Sequence, residues 1–363
     1  VMLLRKGQKP VPPVAQCRSN GMCDLTDKMD SAGRLAWEVP DGQWLIIRFG
    51  WRTNPRAHTK CTGDSSYLEI DPLSAQAMDK HFAATAGLVM EDVSSHVGKT
   101  FRYVHIDSGE IGNPDWTPKF REQFKRLRGY DPLPLLAAKA GQIVDDPVTT
   151  ERFLEDYDRT IGDLMVECYY GRLGELARKY GLRTHSEAAG YQKPTVDALR
   201  SMGCNDIAMS EFWSRRSQAD PYIHQLAAAQ LRYHDGIKNA SAAAHVYGRR
   251  IVQAEAFTVT GRANYDRDLF ELKDIGDRAF CAGLNRNMLC FYVCQPEEDT
   301  KPGYEWPGVG MEFDRHVTWW PMSSAWLTYL ARCQHLLQQG RFVADVCYFQ
   351  GEWVPAYVPA RWA

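Results

Sequence analysis

Four short apolar runs in this chain each finish on or near a carboxylate, and helical stretches separate them. Phe101-Arg-Tyr-Val-His-Ile-Asp107 leads into Ser-Gly-Glu110. Gly181-Leu-Arg-Thr-His-Ser-Glu187 and Asp206-Ile-Ala-Met-Ser-Glu211 follow. Arg250-Ile-Val-Gln-Ala-Glu-Ala-Phe-Thr258 carries Glu255 near its end. Apolar runs this short suit a buried strand or a piece of helix equally well. For 250–258 the context favours strand, because a long helical pattern over 221–248 precedes it and stops at Gly248. Ionised carboxylates are costly to bury unless paired, hydrogen-bonded or bound to a metal, so four acids at strand ends are hard to explain by packing. Strands alternating with helices make a parallel sheet with crossover helices. In α/β barrels the loops after the strand C-termini form the active face.

Read in order, residues 1–36 are rich in Pro, Gly, Ser and Asp and show little periodicity. Trp37-Glu-Val39, the turn Pro40-Asp-Gly42 and Trp44-Leu-Ile-Ile-Arg-Phe49 predict an antiparallel hairpin. A β-rich segment over 1–72 is therefore expected to precede a catalytic-type α/β domain over 73–363. Helices are expected over 75–86 (stopped by Gly87), 118–128 (stopped by Gly129), 149–180 (kinked near its glycines), 194–202, 221–247, 267–282 and 322–339. Strands are expected over 101–107, 181–187, 206–211, 250–257, 286–293 and 341–349. The expected fold class is thus α/β: a (β/α)8 TIM-barrel-type core, incomplete, with six βα units. No GxGxxG or Walker A motif follows a strand, which disfavours nucleotide-type doubly wound folds.

Composition narrows function by exclusion. A net charge of −2 over 363 residues gives no reason to expect nucleic acid or an anionic membrane surface. No apolar run reaches the roughly 18 residues of a transmembrane helix. Aromatics make up 12 %, with 11 Trp and 17 Tyr, which fits carbohydrate binding as well as a large core. The ten cysteines contain no CxxC pair, so a thiolate zinc site is not expected. Most are read as buried free thiols, with Cys17 and Cys23 the pair to examine for a disulfide. The N-terminus does not read as a signal peptide, and both ends read as those of a fragment of a longer enzyme.

An ordered set of motifs resembles a known family. The set comprises Trp37-Glu-Val-Pro-Asp-Gly-Gln-Trp-Leu-Ile-Ile-Arg-Phe-Gly50, His105-Ile-Asp-Ser-Gly-Glu110, Trp116-Thr-Pro, Arg128-Gly-Tyr-Asp131, Ser210-Glu-Phe-Trp213, Ser241-Ala-Ala-Ala-His-Val-Tyr-Gly248, Ala254-Glu-Ala-Phe-Thr258, Thr318-Trp-Trp320 and Leu336-Leu-Gln-Gln-Gly340. From about residue 25 to 353 the chain resembles the catalytic core of bacterial α-L-rhamnosidases of glycoside hydrolase family 106. The resemblance implies barrel strands three to eight of eight, and an inverting enzyme acting on terminal α-L-rhamnosyl groups of plant polysaccharides. It also implies an active-site Ca²⁺ and export to the periplasm or medium. One departure bears on the sugar: Asp107-Ser-Gly-Glu110 stands where Asp-Ser-Trp-Glu is expected, which removes an indole that could wall the sugar site.

Within that frame the expected catalytic pair is Glu110, as general acid, and Glu255, as general base. An inverting hydrolase needs two carboxyl groups about 6.5–9.5 Å apart, with room for a water. Glu187 and Glu211 are the expected metal ligands, since calcium takes about six to eight oxygen donors; salt bridges to Arg215, Arg249 or Arg250 are the plainer alternative. Asp107, His185 and His245 are candidate contacts to sugar hydroxyls, against a loop-capping or core role for each. Trp116 and Trp213 are candidate stacking platforms for a sugar face. Other readings stay open: a barrel hydrolase for another sugar, such as a fucoside or uronide, or a carbohydrate-binding fragment without turnover.

Overall fold

The computed structural model describes residues 16–52, 69–107, 114–188, 196–213, 236–259, 267–301, 303–305 and 312–349. The chain divides into two compact units, one formed by residues 1–69 with 114–161 and the other by 70–113 with 162–363. The expected boundary near residue 72 falls close to the first break. The grouping of 114–161 with the N-terminal segment was not anticipated. It follows from pairing distant in sequence: β1 (Gln16–Cys17) lies parallel to β3 (Ile143–Val144), and the Asp145 carboxylate accepts from the Ser19 amide at 2.8 Å.

In the first unit, the hairpin expected over 37–50 does not form a ladder. Its turn is present in part: the Trp44 indole donates to the Pro40 carbonyl at 2.9 Å and packs edge-on against Trp37. Leu45 and Ile46 remain exposed, so the apolar alternation finds no face to bury. Cys17 and Cys23 are free thiols, and the disulfide considered for them is absent; the Cys17 thiol donates instead to the Ile143 carbonyl. Helix α3 (Phe120–Arg128) ends where its sequence says it should, with Gly129 in the left-handed conformation at φ 82°.

Arg121 and Lys125, one turn apart on α3, both reach Asp131. Arg121 donates at 2.9 and 2.7 Å, Lys125 lies at 2.8 Å, and the Leu133 amide adds a fourth contact. The Arg121 hydrogen bond, followed by that of Lys125, holds the Asp131 carboxyl well below the usual carboxylate range. A depressed carboxylate pKa adds stability that is complete above the unfolded-state value of about 4 and is lost as pH falls below it. Asp131→Asn is therefore expected to cost about 1 kcal/mol at pH 7. Urea unfolding of the two proteins should show that gap narrowing steadily below about pH 4; a gap that stays constant with pH would show that the pairing contributes nothing.

The second unit holds a curled, all-parallel sheet, half a barrel, in the order β2 (Tyr103–Ile106), β4 (Arg183–Ser186), β5 (Ile207–Trp213), β6 (Val252–Thr258), β7 (Arg286–Leu289). Spatial order follows sequence order without reversal, as in a barrel and unlike a doubly wound sheet. β5 and β6 are buried along nearly their whole length, as parallel strands covered on both faces are. Helices α6 (Ala198–Gly203), α7 (236–246), α8 (Leu269–Cys281) and α9 (Ser323–Leu337) fall between or after these strands. Asp197 and Asp268 cap α6 and α8 by accepting amide hydrogens from the first turn. No helix among the described residues is long and apolar enough to cross a membrane.

Four expectations need correction. The sixth strand, over 341–349, does not form: the segment is irregular and open to solvent, with Val343 84 % and Tyr348 81 % exposed. Alternating apolar residues make a strand only against a neighbour that takes their hydrogen bonds, and no described residue pairs with it. The strand expected over 286–293 stops at Leu289. The helix begun by α1 (Ala75–Phe82) does not stop at Gly87, because that glycine is right-handed and the chain passes through a π-helical turn into α2 (Leu88–Asp92). The stretch expected as one kinked helix over 149–180 is α4 (Pro147–Leu164), a π-helical turn over Met165–Gly171 and α5 (Arg172–Lys179).

Candidate active site

Register assigns the concave face. In parallel strands, paired residues point the same way and orientation alternates along each strand. The pairs His105–His185, Met209–Gln253, Glu211–Glu255, Gln253–Arg286 and Glu255–Met288 therefore line one face. Ala254 and Ala256 point to the other, where they join Phe212, Phe257, Leu272, Phe313 and Trp326 in the core under α8 and α9.

Three carboxylates meet at the strand ends of the concave face. Asp107 directly follows β2, Glu187 directly follows β4, and Glu255 lies within β6. One oxygen from each lies within 4.8 Å of the other two. The Glu187 amide donates to the Ile106 carbonyl at 3.1 Å, which locks the first two strand ends side by side. Glu187 is only 2 % exposed. Burial pushes the Glu255 carboxyl above its ordinary range, and the Asp107 charge adds to the rise; hydrogen bonds from Thr258 and Cys290 pull the other way. Carboxylate oxygens are the donors that a hard cation such as calcium prefers. Asp107 and Glu187 fit part of such a shell, and a cation there would offset the repulsion among all three acids.

Beneath the carboxylates the face carries His105, His185, Gln253 and Arg286, with Met209 and Met288 among them. The His185 ring stacks on His105 with centroids 4.5 Å apart. Burial, then His105 and Arg286, lower its pKa to about 4, so the ring is neutral at physiological pH. The Gln253 amide lies 3.1 Å from His185 Nδ1 and contacts the sulfurs of Met209 and Met288.

The remaining candidates and the residues around them fall both on this face and away from it. Glu110 lies outside the described residues. Glu211 is buried beside Glu255 on the same face, while the group of three is made by Asp107, Glu187 and Glu255. Trp213 ends β5 in register with Thr258. Trp116 belongs to the other unit, where it packs on Phe120 at 4.9 Å. His245 sits near the end of α7, before β6 begins, and stacks flat on Phe342 at 3.7 Å. That position belongs to the strand N-terminal side, opposite the carboxylates. Trp319 is core, its indole bonded to the Arg267 carbonyl at 2.8 Å. The Asn285 side chain ties Arg250 and Val252 together and is structural.

Three residues at the site escaped the sequence reading. Gln253 could have been found, since it lies two residues before Glu255 and shares its face. Cys290 was read as a buried thiol, which it is, but nothing in the sequence places it against Glu255. Thr258 was hidden by arithmetic: three residues from Glu255, a regular strand would point it away.

Comparison with known proteins agrees with this fold. The family model described as alpha-L-rhamnosidase, glycoside hydrolase family 106, matches residues 5–358. A protein of Formosa agariphila that carries the provisional name beta-glucuronidase is 36 % identical over 347 residues, which are 96 % of this chain and 28 % of that protein. The solved structure of a rhamnosidase from Novosphingobium sp. PP1Y superposes with a TM-score of 0.76 at 32 % identity, over 92 % of this chain and 32 % of that one. The chain thus spans less than a third of the length of either relative. With the match running over almost every residue, the chain belongs to glycoside hydrolase family 106.

Proposed function

We propose that this chain is the catalytic core of an inverting hydrolase that releases terminal α-L-rhamnosyl groups from plant-type glycosides. The observation that carries the reading is the convergence of Asp107, Glu187 and Glu255 at one rim of the half-barrel. In this reading the five strands belong to a (β/α)8 barrel, and the protein works outside the bacterial cytoplasm.

Glu255 is the general base. Its carboxylate takes a proton from the attacking water, and a base whose pKa is raised by burial is the stronger for it. Glu110 is the general acid that protonates the leaving oxygen, which inversion requires on the far side of the sugar. Asp107 and Glu187 would hold the cation expected from the donor set, and calcium bound there would supply electrostatic anchoring of sugar hydroxyls. Neutral His185 and Gln253 lie below as donors for a ring hydroxyl. Trp213 at the end of β5 offers an apolar surface to the sugar.

A second reading is favoured by one comparison, the relative named as a beta-glucuronidase. Arg286 lies on the concave face in register with Gln253, and a guanidinium there suits a uronate carboxylate. Initial rates on aryl α-L-rhamnoside, α-L-fucoside and β-D-glucuronide separate the two. The rhamnoside is expected to be cleaved at least about 10²-fold faster than either other sugar. Chelation should remove that activity and calcium should restore it. A preference for the glucuronide would install the second reading, and no turnover together with no binding of L-rhamnose would end the first.

A further inference from the structure

We infer that Thr258 and Cys290 are positioning residues that clamp the Glu255 carboxylate from two sides, and that a bulge in β6 exists to bring Thr258 there. The inference rests on the proposed role of Glu255 and extends it to two residues outside the acidic group.

The bulge is visible in the register. Glu211 pairs with Glu255, but Trp213 pairs with Thr258, so two steps along β5 correspond to three along β6. One extra residue in a strand reverses the facing of everything after it. Thr258 is thereby turned from the helix side to the concave side, where its hydroxyl donates to Glu255 Oε1. The residue that absorbs the extra step is Phe257, in the left-handed region at φ 63°. That conformation is unusual for a bulky side chain and persists only where the surroundings enforce it. They do so here: the Phe257 ring is fully buried, 4.9 Å from Phe212 and 5.3 Å from Trp326. Gly276 on α8 leaves the space, since a Cβ there would lie 3.1 Å from the ring.

The second side of the clamp comes from the next strand. Cys290 directly follows β7, and its amide donates to the Ala256 carbonyl at 3.2 Å, inside the bulge. This sets its thiol beside the Glu255 carboxylate and Thr258, close enough to act on both. With a hydroxyl on one oxygen and a thiol beside it, the carboxylate is fixed in orientation by groups that carry no charge. A general base must meet its water at one angle and distance, and fixing the base in advance is what a positioning group contributes.

The test pairs kinetics with a spectrum. Thr258→Val keeps the shape and removes the hydroxyl; kcat on the aryl α-L-rhamnoside is expected to fall about 10- to 100-fold while KM changes less than about threefold. Thr258→Ser restores the hydroxyl and is expected to recover most of the lost rate. In the infrared, the S–H band that disappears in Cys290→Ala should lie below the position of a free thiol and move upward in Glu255→Gln. The spectral arm needs no turnover, so it judges the clamp even if the rhamnosidase reading fails. Full kcat in Thr258→Val, or a Cys290 band at the free-thiol position that ignores Glu255→Gln, overturns the proposal. Loss of rate in both Thr258 variants alike would show a packing role only.

Discussion

Glu255→Gln is expected to lose at least about 10³-fold in kcat/KM on an aryl α-L-rhamnoside while folding at least as stably as the parent. The two halves of this prediction have one cause. Glu255 shares a small volume with Asp107 and Glu187, and burial has already driven its carboxyl upward. Like charges held this close in a medium of reduced dielectric oppose folding, so they persist only where chemistry requires them. Glutamine keeps the shape and still accepts from Thr258, but carries no charge and cannot take a proton from water. The rate falls because the base is gone, and the repulsion falls with it, so the unfolding midpoint should stay or rise. Initial rates and thermal unfolding on one preparation read both. A variant that keeps its rate removes Glu255 from the mechanism. A variant that loses several degrees of midpoint along with its rate would mean that the carboxylate is a structural ion-pair partner instead.

Much of the site was legible in the sequence because its logic is local. Asp107, Glu187 and Glu255 each sit at or near the end of an apolar run, and the alternation of runs with helical stretches implies a parallel sheet whose ends share a rim. Gly129 marks a helix end through contacts within a turn, and such a signal survives in any context. What failed to read out depended on partners far away in the chain. The segments 37–50 and 341–349 have the apolar pattern of strands, but pattern supplies no neighbour, and they remain open. Gly87 looks like a stop only if it turns left-handed, and packing keeps it helical. His245 looked like a sugar ligand by residue type, yet its place at the end of α7 puts it on the other side of the sheet.

The bulge at Phe257 is the sharpest of these cases, and it sets a prediction whose order of effects runs against habit. Phe257→Ala removes a fully buried ring that touches Phe212, Phe313 and Trp326, and large-to-small changes of this kind cost about 3–5 kcal/mol. Phe257→Gly removes the same ring and one carbon more. In an ordinary strand, glycine would be the worse by about 0.5–1 kcal/mol, through the freedom it gains on unfolding. At φ 63° the sign changes, because alanine retains a left-handed penalty of about 1–2 kcal/mol that glycine does not carry. Phe257→Gly is therefore expected to unfold at a urea midpoint equal to or above that of Phe257→Ala, with both well below the parent. Both should also lose rate, since without the ring nothing compels the extra residue of β6 to stay where it turns Thr258 onto Glu255. A glycine variant clearly less stable than the alanine one would show that residue 257 is not left-handed in solution. The route from the aromatic core through the bulge to the base would then have to be abandoned, whatever the fate of the rhamnosidase assignment.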